Sequence, residues 1–272
     1  MDVTGIANFL VYLAGGSPRD DVRIKAFAQA LNLSLYDAKI MLGAPGPRRV
    51  AACSTQEEAD AKCLDLRQAG LVAFVIDKTR FSRLPRIFKA LKAVEQPDGL
   101  LFTIETPPAA GELQARVSEL PQPKGFVRAV VLGFYTQVTK HTDVARGRAG
   151  ASSSTSEIRE PFIHLYSEDP HTILEIAGAK VEIPWSKEFA GVMGDMRWLK
   201  LGERFAAYYK ALLDTTLFKN PTEVNFITAP LNVDAVRGIG GSGARGGASS
   251  QDDSPVAMAA SRIIVYSRVF GI

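Results

Sequence analysis

The side chains best suited to chemistry in this 272-residue sequence are three histidines and two cysteines. A histidine can act as a general base near neutral pH, and a cysteine paired with a histidine can act as a nucleophile. The spacings that organise such groups are missing, because the sequence contains no H-E-x-x-H, no C-x-x-C and no G-x-S-x-G. We therefore expect no catalytic residues and no metal ligands.

The individual positions support this interpretation. Cys53 and Cys63 are predicted on a strand end and a helix face, and we expect Cys63 to be a buried thiol. His164 alternates with apolar residues, which predicts a solvent-facing or half-buried position on a strand. His141 and His171 stay as candidate general bases if the protein is an enzyme that uses a pocket in its β-rich part.

A cofactor site is not indicated either. Residues Gly238 to Gly243 match G-x-G-x-x-G formally, but a dinucleotide fingerprint needs a strand before it and a helix after it. Neither flank has such a pattern, so we interpret the glycine-rich segment 238–250 as a flexible loop. We expect no bound cofactor.

The strongest candidate binding feature is a run of six cations without an acidic residue, which we call the basic bridge (residues 78–92). Its cations are Lys78, Arg80, Arg83, Arg86, Lys89 and Lys92. Three interpretations remain open: a solvated linker, a docking site for an acidic protein, or a contact with anionic lipid or nucleic acid. Pro85 interrupts any long amphipathic helix, which disfavours lipid.

The overall charge is small and uneven. The chain carries a formal +3, with 14 basic and 10 acidic residues in positions 1–97 and 18 basic and 19 acidic residues after them. This balance disfavours bulk nucleic-acid binding but allows a local acidic partner. No segment has the length of a membrane span or the basic start of a secretory signal, so we expect a cytoplasmic protein that could lie peripherally at a membrane.

The sequence of the first 77 residues predicts a compact α/β unit. A strand arm (residues 1–16, with the strand at 9–13) precedes a module at 17–77. Apolar periodicity and capping residues predict helices at 21–31, from 34 and at 56–69, and strands at 48–53 and 71–76. Capping boxes are expected at Ser34 with Asp37 and at Ser54 with Glu57.

Residues 21–77 carry a resemblance to a known family. The matching positions are Ile24-Lys25-Ala26-Phe27, Leu33, Leu35-Tyr36-Asp37-Ala38-Lys39, Glu57-Glu58-Ala59, Leu66 and Gly70. Together they resemble the C-terminal domain of the bacterial ribosomal stalk protein. In that family lysines on the two leading helices contact translation GTPases, and Lys25 and Lys39 fall on matching positions. The family's dimerisation segment and hinge are absent, so the resemblance implies a protein-interaction module.

The remainder, residues 86–272, is predicted to be β-rich. Strands are indicated at 86–94, 99–106, 125–138, 161–166, 172–176, 180–183, 224–228 and 262–270, with helices at 112–120 and 197–218. The fold class is therefore α+β: a small ααβαβ module followed by a larger, mainly antiparallel β domain capped by a long helix. A partly open barrel resembling a pleckstrin-homology domain is one arrangement of these elements.

These observations favour a non-enzymatic binding protein. We expect an accessory or assembly subunit that docks on an acidic protein partner or a larger complex, with an anionic membrane surface as a further partner and nucleic acid disfavoured. The candidate binding residues are Lys25, Lys39 and the basic bridge cations Lys78, Arg80, Arg83, Arg86 and Lys89. The alternatives are an enzyme or small-molecule binder with a pocket in the β domain, and a protein that associates with ribosomes or nucleic acid.

Overall fold

The chain is an α+β protein with two sheets. A computed structural model describes residues 8–16, 20–81, 85–106, 114–143, 152–178, 181–228, 249–252 and 254–270. The N-terminal module runs β1 (Phe9–Leu13), α1 (Asp21–Leu31), α2 (Leu35–Leu42), β2 (Arg48–Cys53), α3 (Gln56–Gln68) and β3 (Ala73–Asp77). Its three strands are antiparallel in the order β2-β1-β3.

The larger part begins with a short helix and builds a mixed sheet. Its elements are α4 (Lys78–Phe81), β4 (Arg86–Gln96), β5 (Gly99–Thr106), β6 (Arg116–Pro123), β7 (Ala129–Asp143), β8 (Ser152–Tyr166), β9 (Thr172–Ala177), α5 (Asp195–Tyr209), β10 (Leu212–Asp214), α6 (Thr216–Lys219), α7 (Glu223–Thr228), β11 (Ser249–Asp252), α8 (Ser254–Val265) and a π-helical segment (Tyr266–Phe270). The strand order is β10-β7-β8-β9-β4-β5-β6, and β11 also pairs with β7.

Local signals in the module act as predicted. The side chains of Asp20 and Ser34 cap α1 and α2, and Ser34 accepts the Asp37 amide as the capping box requires. At α3 the cap is one residue later than expected: Thr55, not Ser54, accepts the amide of Glu58. Either hydroxyl can cap a helix, and Thr55 has the extended backbone that a capping residue needs.

Strand β1 is apolar throughout because both of its faces are buried. Its even-numbered side chains, Leu10 and Tyr12, belong to a core shared with the large sheet, while Val11 and Leu13 face helices α1–α3. A half-buried strand would alternate, so a continuous apolar run is the expected signature of a central strand covered on two sides.

The large sheet is also covered on both faces. Alternate residues of β7, β8 and β9 pack against α5 on one side, where Phe205 and Tyr209 are buried. On the other side the same three strands pack against α7, α8 and the N-terminal module. Both cores include residues of β7 and β8, so these two long strands contribute to the packing on both faces of the large sheet.

The expected barrel does not form. The described strands make an open sheet in which β6 lies at one edge and β10 and β11 lie beside β7 at the other. The sheet is mixed because β4 pairs in parallel with β9 and β10 in parallel with β7. The partly open, pleckstrin-homology-like barrel is therefore wrong for the described strands, which form a mixed open sheet.

Two predicted helices are corrected. Of the segment predicted as helix at 112–120, residues 112 and 113 lie outside the described residues and residues 116–120 lie in β6, which pairs with β5 along its whole length. Pro121 and Pro123 of β6 suit an edge strand. The predicted helix 197–218 ends at Tyr209, because Lys210 takes a left-handed conformation (φ 54°) that caps it. The chain then turns into β10 and α6.

Three predicted strands are also wrong. Residues 224–228 form α7, and residues 262–270 lie in α8 and the π-helical segment. Their β-branched residues suit either structure, and burial of α8 on nearly every side decides for helix. The expected strand at 180–183 is reduced, within the described residues, to one bridge between Glu182 and Lys92.

The described residues include no helix that is both long and apolar enough to cross a bilayer. Helix α5 instead lies close against the large sheet. A methyl group added at Gly202 would come within 2.3 Å of Leu132 Cδ1, and the Leu132 side chain is fully buried. A glycine is therefore required here by the close approach of the helix to the strand.

We predict that Gly202→Ala destabilises the protein by up to about 2 kcal/mol. Overpacking a buried contact costs about 1–3 kcal/mol, and replacing a helical glycine by alanine offsets about 1 kcal/mol of that cost. Thermal unfolding should show a lower Tm for this variant. Gly191→Ala is the matched control because its added methyl group meets no atom within 4 Å. A Tm unchanged or raised by Gly202→Ala would contradict the close packing.

Candidate functional site

The most exposed apolar cluster of the N-terminal module lies on α1 and α2. Val22 is 78% exposed, Leu35 55%, Tyr36 73% and Ile40 56%. Lys25 and Lys39, the two lysines singled out in the sequence, are exposed on the same two helices. We call these six residues the hairpin face.

Within each helix, the spacing makes neighbours of the hairpin-face residues. Lys25 follows Val22 by three residues, while Lys39 and Ile40 each follow an exposed apolar residue, Leu35 and Tyr36, by four. Residues three and four apart are neighbours on a helix surface. Each helix therefore presents its lysine beside its exposed apolar side chains.

The hairpin face is held on a rigid base. Other side chains of the same helices, Ile24, Phe27, Ala38 and Leu42, are buried in the module core. Asn32 makes the turn in a left-handed conformation, with a φ of 51°. Exposure of the hairpin face is thus fixed by the packing of these other side chains.

The basic bridge is divided among different elements. Lys78 and Arg80 lie on α4, whereas Arg86, Lys89 and Lys92 lie on β4. Arg83 lies outside the described residues. The exposed cations of β4 therefore face a different environment from those of α4.

Strand pairing brings acidic residues to the β4 cations. Lys89 is in register with Glu105 on β5 and with Glu175 on β9, and the Lys92 ammonium lies 3.2 Å from the Glu182 carboxylate. The run that is free of acidic residues in sequence is therefore flanked by carboxylates in space.

A different polar cluster, which the sequence did not single out, lies in the core between β7, β8, β9 and α8. Tyr166 and Ser261 are 2.8 Å apart, Ser261 Oγ is 2.9 Å from His164 Nδ1, and His164 Nε2 is 2.7 Å from the Tyr135 hydroxyl. Tyr135 in turn donates to Glu175. We call these five side chains the buried relay.

One assignment of protons satisfies the whole relay. If the tyrosine hydroxyls each donate towards their next partner, Ser261 donates to His164 Nδ1 and His164 Nε2–H donates to Tyr135. Each donor then has an acceptor, and the relay ends on the Glu175 carboxylate. This requires a neutral His164 protonated at Nε2.

The electrostatics agree with that assignment. Burial lowers the pKa of His164, so the imidazole is neutral, and burial raises the pKa of both Tyr135 and Tyr166. Burial acts to raise the pKa of Glu175, but the nearby His164 ring, the hydrogen bond from Tyr135 and the charge of Lys89 together outweigh it and leave the pKa below its usual value.

The order serine, histidine, carboxylate is that of a nucleophile with its base, yet this arrangement does not serve catalysis. Ser261 and His164 each have 0% exposure, so no substrate can reach the hydroxyl. The relay instead joins α8, through Ser261, to the large sheet. A fully satisfied buried network of this kind specifies how the helix seats.

An open groove of about 1030 Å³ lies between the N-terminal module and the large sheet. Helix α3, the outer edge of β3, α4, the turn between β8 and β9, and the π-helical segment line it. Its floor is apolar, with Phe74, Ile76 and Phe81 buried beneath it. We call this cavity the edge groove.

A buried arginine supports the floor of the edge groove. Arg262 is 2% exposed, donates to the Phe81 carbonyl at 3.1 Å, contacts His171 Nδ1 and stacks 4.8 Å from the Phe81 ring centre. Burial lowers the pKa of the Arg262 guanidinium. His171, one of the candidate bases, thus lines the groove and is held by Arg262.

The other chemistry-bearing residues are placed as follows. His164 was expected to face solvent or to be half-buried, and this is wrong because its ring is fully buried. Cys63 is buried as predicted. Cys53 is buried as well. The backbone of His141 lies in β7, with its side chain outside the described set. Residues 238–248 of the glycine-rich segment also lie outside it. Within the described residues no cluster of histidine, cysteine and carboxylate side chains could hold a metal ion.

Comparisons of the chain with family models, curated proteins and solved structures found no match. The function must therefore be argued from the hairpin face, the edge groove and the buried relay alone.

Sequence reasoning missed the relay for a physical reason. The alternation of Phe162, His164 and Tyr166 does place the histidine on a face with two aromatic rings, which is a signal of burial. Ser261 lies 97 residues after His164, and no local pattern links the two. Because residues 262–270 were predicted as a strand, helix α8, which carries Ser261, was not expected.

The relay predicts a pH-dependent stability. The folded-state pKa of His164 lies below its ordinary 6.5, so the unfolded chain binds a proton more readily as pH falls through that value. The free energy of unfolding should therefore fall as the pH is lowered from about 7.5 to about 5.5. Urea unfolding at both pH values should show that His164→Gln loses this dependence.

His171→Gln serves as the control, since it leaves the relay intact. Above pH 5.5 the unfolded-state carboxyls are almost fully ionised, which isolates the histidines. An equal pH dependence in the wild-type protein and His164→Gln would contradict a buried neutral His164.

Proposed function

We propose that this chain is a non-enzymatic protein-binding subunit that docks an acidic partner through the hairpin face. The observation that supports it best is the exposure by more than half of four large apolar side chains on two adjacent helices beside two lysines. Clustered exposed apolar residues rimmed by charge are typical of protein interaction sites.

The apolar residues would supply affinity. Tyr36 and Ile40 are three-quarters and over half exposed, so a partner that covers them removes substantial apolar area from water. Tyrosine is also enriched among residues that dominate binding energy, because it combines a large apolar surface with few rotatable bonds. We place Tyr36 at the centre of the contact.

The lysines would supply the choice of partner. Lys25 and Lys39 are exposed, and their ammonium groups favour carboxylates at the rim of a partner surface. The partner that fits is therefore a protein whose apolar centre is bordered by acidic residues. The resemblance to the ribosomal stalk domain supports the same two lysines, because their matching positions contact GTPases in that family.

The basic bridge has a secondary place in the proposal. Lys89 and Lys92 already have acidic neighbours in the sheet, so they have less charge to offer a partner than Lys25 and Lys39. Arg80 and Arg86 are exposed and could extend the contact with a large acidic complex. A membrane face is a further location for such a complex.

We predict that Tyr36→Asp with Ile40→Asp abolishes capture of the partner. A pull-down from the native cell extract, with co-purifying chains quantified by mass spectrometry, identifies the partner with wild-type bait. The double variant should recover at least about tenfold less, since two apolar contacts of more than 1 kcal/mol are lost. Met193→Asp is the control, because Met193 is 87% exposed but lies outside the module.

Charge-reversal variants distinguish the electrostatic contribution of the lysines to association from the contribution of the apolar contacts. With the identified partner purified, Lys25→Glu with Lys39→Glu should mainly slow association and weaken its salt dependence, whereas the Tyr36 and Ile40 variant should mainly speed dissociation. Equal recovery with every hairpin-face variant would contradict the proposal. Loss only on replacing Arg80, Arg83 and Arg86 by Glu would move the contact to the basic bridge.

A further inference from the structure

The outer edge of β3 has unused backbone hydrogen-bonding groups. The register pairs Tyr12 with Phe74 and Leu10 with Ile76. The Ala14 amide donates to the Val72 carbonyl at 2.9 Å, and the Lys78 amide donates to the Asn8 carbonyl at 2.8 Å. Hydrogen-bonded pairs alternate along an antiparallel ladder, so the even-numbered residues of β3 bond to β1.

The odd-numbered residues of β3 therefore direct their N–H and C=O groups away from β1. An independent contact agrees, since the Ala73 carbonyl accepts from Arg67 Nε at 2.9 Å on that outer side. Val75, in the middle of the strand, directs both its N–H and its C=O outward. No described strand pairs with this edge, where the sheet order ends.

The outer edge of β3 opens into the edge groove rather than onto a flat surface. Four consecutive residues, 74–77, line the groove. On one side stands α3, with Leu64 and Cys63; on the other lie Phe81 and Tyr266. The two walls stand over the two faces of β3, so a strand lying beside β3 would send alternate side chains to each wall.

The charge around the edge groove selects what could enter it. Four carboxylates line the cavity, against two guanidinium groups: Asp60, Asp77, Glu168 and Asp169 face Arg67 and Arg80. Three of these groups already have partners: Arg67 donates to the Ala73 carbonyl, Asp77 accepts from the amides of α4, and Asp169 accepts from the His171 amide and the Thr172 hydroxyl. The excess of negative charge favours an occupant that carries basic side chains.

We propose that the edge groove binds an extended peptide segment of a partner, apolar in its middle and basic at its ends, which adds as a strand to β3. Main-chain hydrogen bonds to Val75 would hold the peptide. Its alternate side chains would contact α3 on one side and Phe81 and Tyr266 on the other. A second copy of this chain fits less well, because pairing two β3 edges would bring both sets of carboxylates together. This proposal does not depend on the hairpin face.

The test uses a defined probe, a fluorescein-labelled peptide of sequence Lys-Val-Thr-Val-Thr-Val-Lys, titrated with the full chain by fluorescence anisotropy. We expect saturable binding that is at least about tenfold weaker for the same peptide with glutamates at both ends. A tenfold change corresponds to about 1.4 kcal/mol. No saturable binding of the lysine-ended peptide up to about 1 mM, where binding is worth only about 4 kcal/mol, would overturn the proposal.

The decisive variant is Val75→Pro. Proline removes the outward N–H of Val75 but none of the hydrogen bonds between β3 and β1, and edge strands tolerate it at such positions. The dissociation constant of the lysine-ended peptide should rise at least about tenfold. Val75→Thr, which keeps the N–H and the branched shape, should change it by less than about threefold. Equal affinity for Val75→Pro and Val75→Thr would overturn strand addition.

A second measurement needs no protein variant. Methylating the peptide nitrogens at odd or at even positions blocks one edge of the peptide strand at a time. One methylated peptide should lose binding and the other should keep it, whereas retention by both or loss by both would overturn the proposal. Sedimentation that shows a wild-type dimer which dissociates in Val75→Pro would assign the edge to a second copy and overturn it as well.

Discussion

The fold depends on helix α8, which is buried on nearly every side and shares one core with both sheets. Polar residues of the same C-terminal stretch fix it in three directions. Ser261 joins the buried relay on the large sheet, Arg262 donates to the Phe81 carbonyl, and Arg268 donates to the Gly15 carbonyl while its guanidinium lies 3.5 Å from Asp214. The packing of α8 therefore determines the relative position of the two sheets.

Burying so many polar groups is costly unless each is satisfied, and the arrangement shows how this is achieved. His164 is neutral, the relay gives it a partner at each nitrogen, and Glu175 keeps its charge near Lys89. Such a network adds little net stability compared with apolar packing, but it penalises any other seating of α8 because a shifted helix would leave buried donors unpaired. We infer that the relay specifies geometry more than it stabilises.

The N-terminal module could be predicted from sequence because its local signals agree with its tertiary contacts. Caps, periodicity and the apolar run of β1 gave nearly every boundary. The second half could not, since the runs at Ile263–Val265 and Val224 suit helix or strand equally and burial against distant elements decides. The same limit applies to the charged residues: the apparent isolation of Lys89 in the sequence disappears once the sheet register brings Glu105 and Glu175 beside it.

The seating of α8 also determines which surfaces of the module remain for partners. One face of its sheet is covered by the shared core, and the other by α1–α3. The β2 edge is occupied by α7, where Arg48 forms a largely buried ion pair with Glu223 and stacks on Phe226. The surfaces that stay open include the outward side of α1 and α2 and the outer edge of β3. The first combines apolar side chains with two lysines, whereas the charged residues that line the second are four carboxylates and two guanidinium groups. On our two proposals, the surfaces would select partners of opposite charge and would not need to compete.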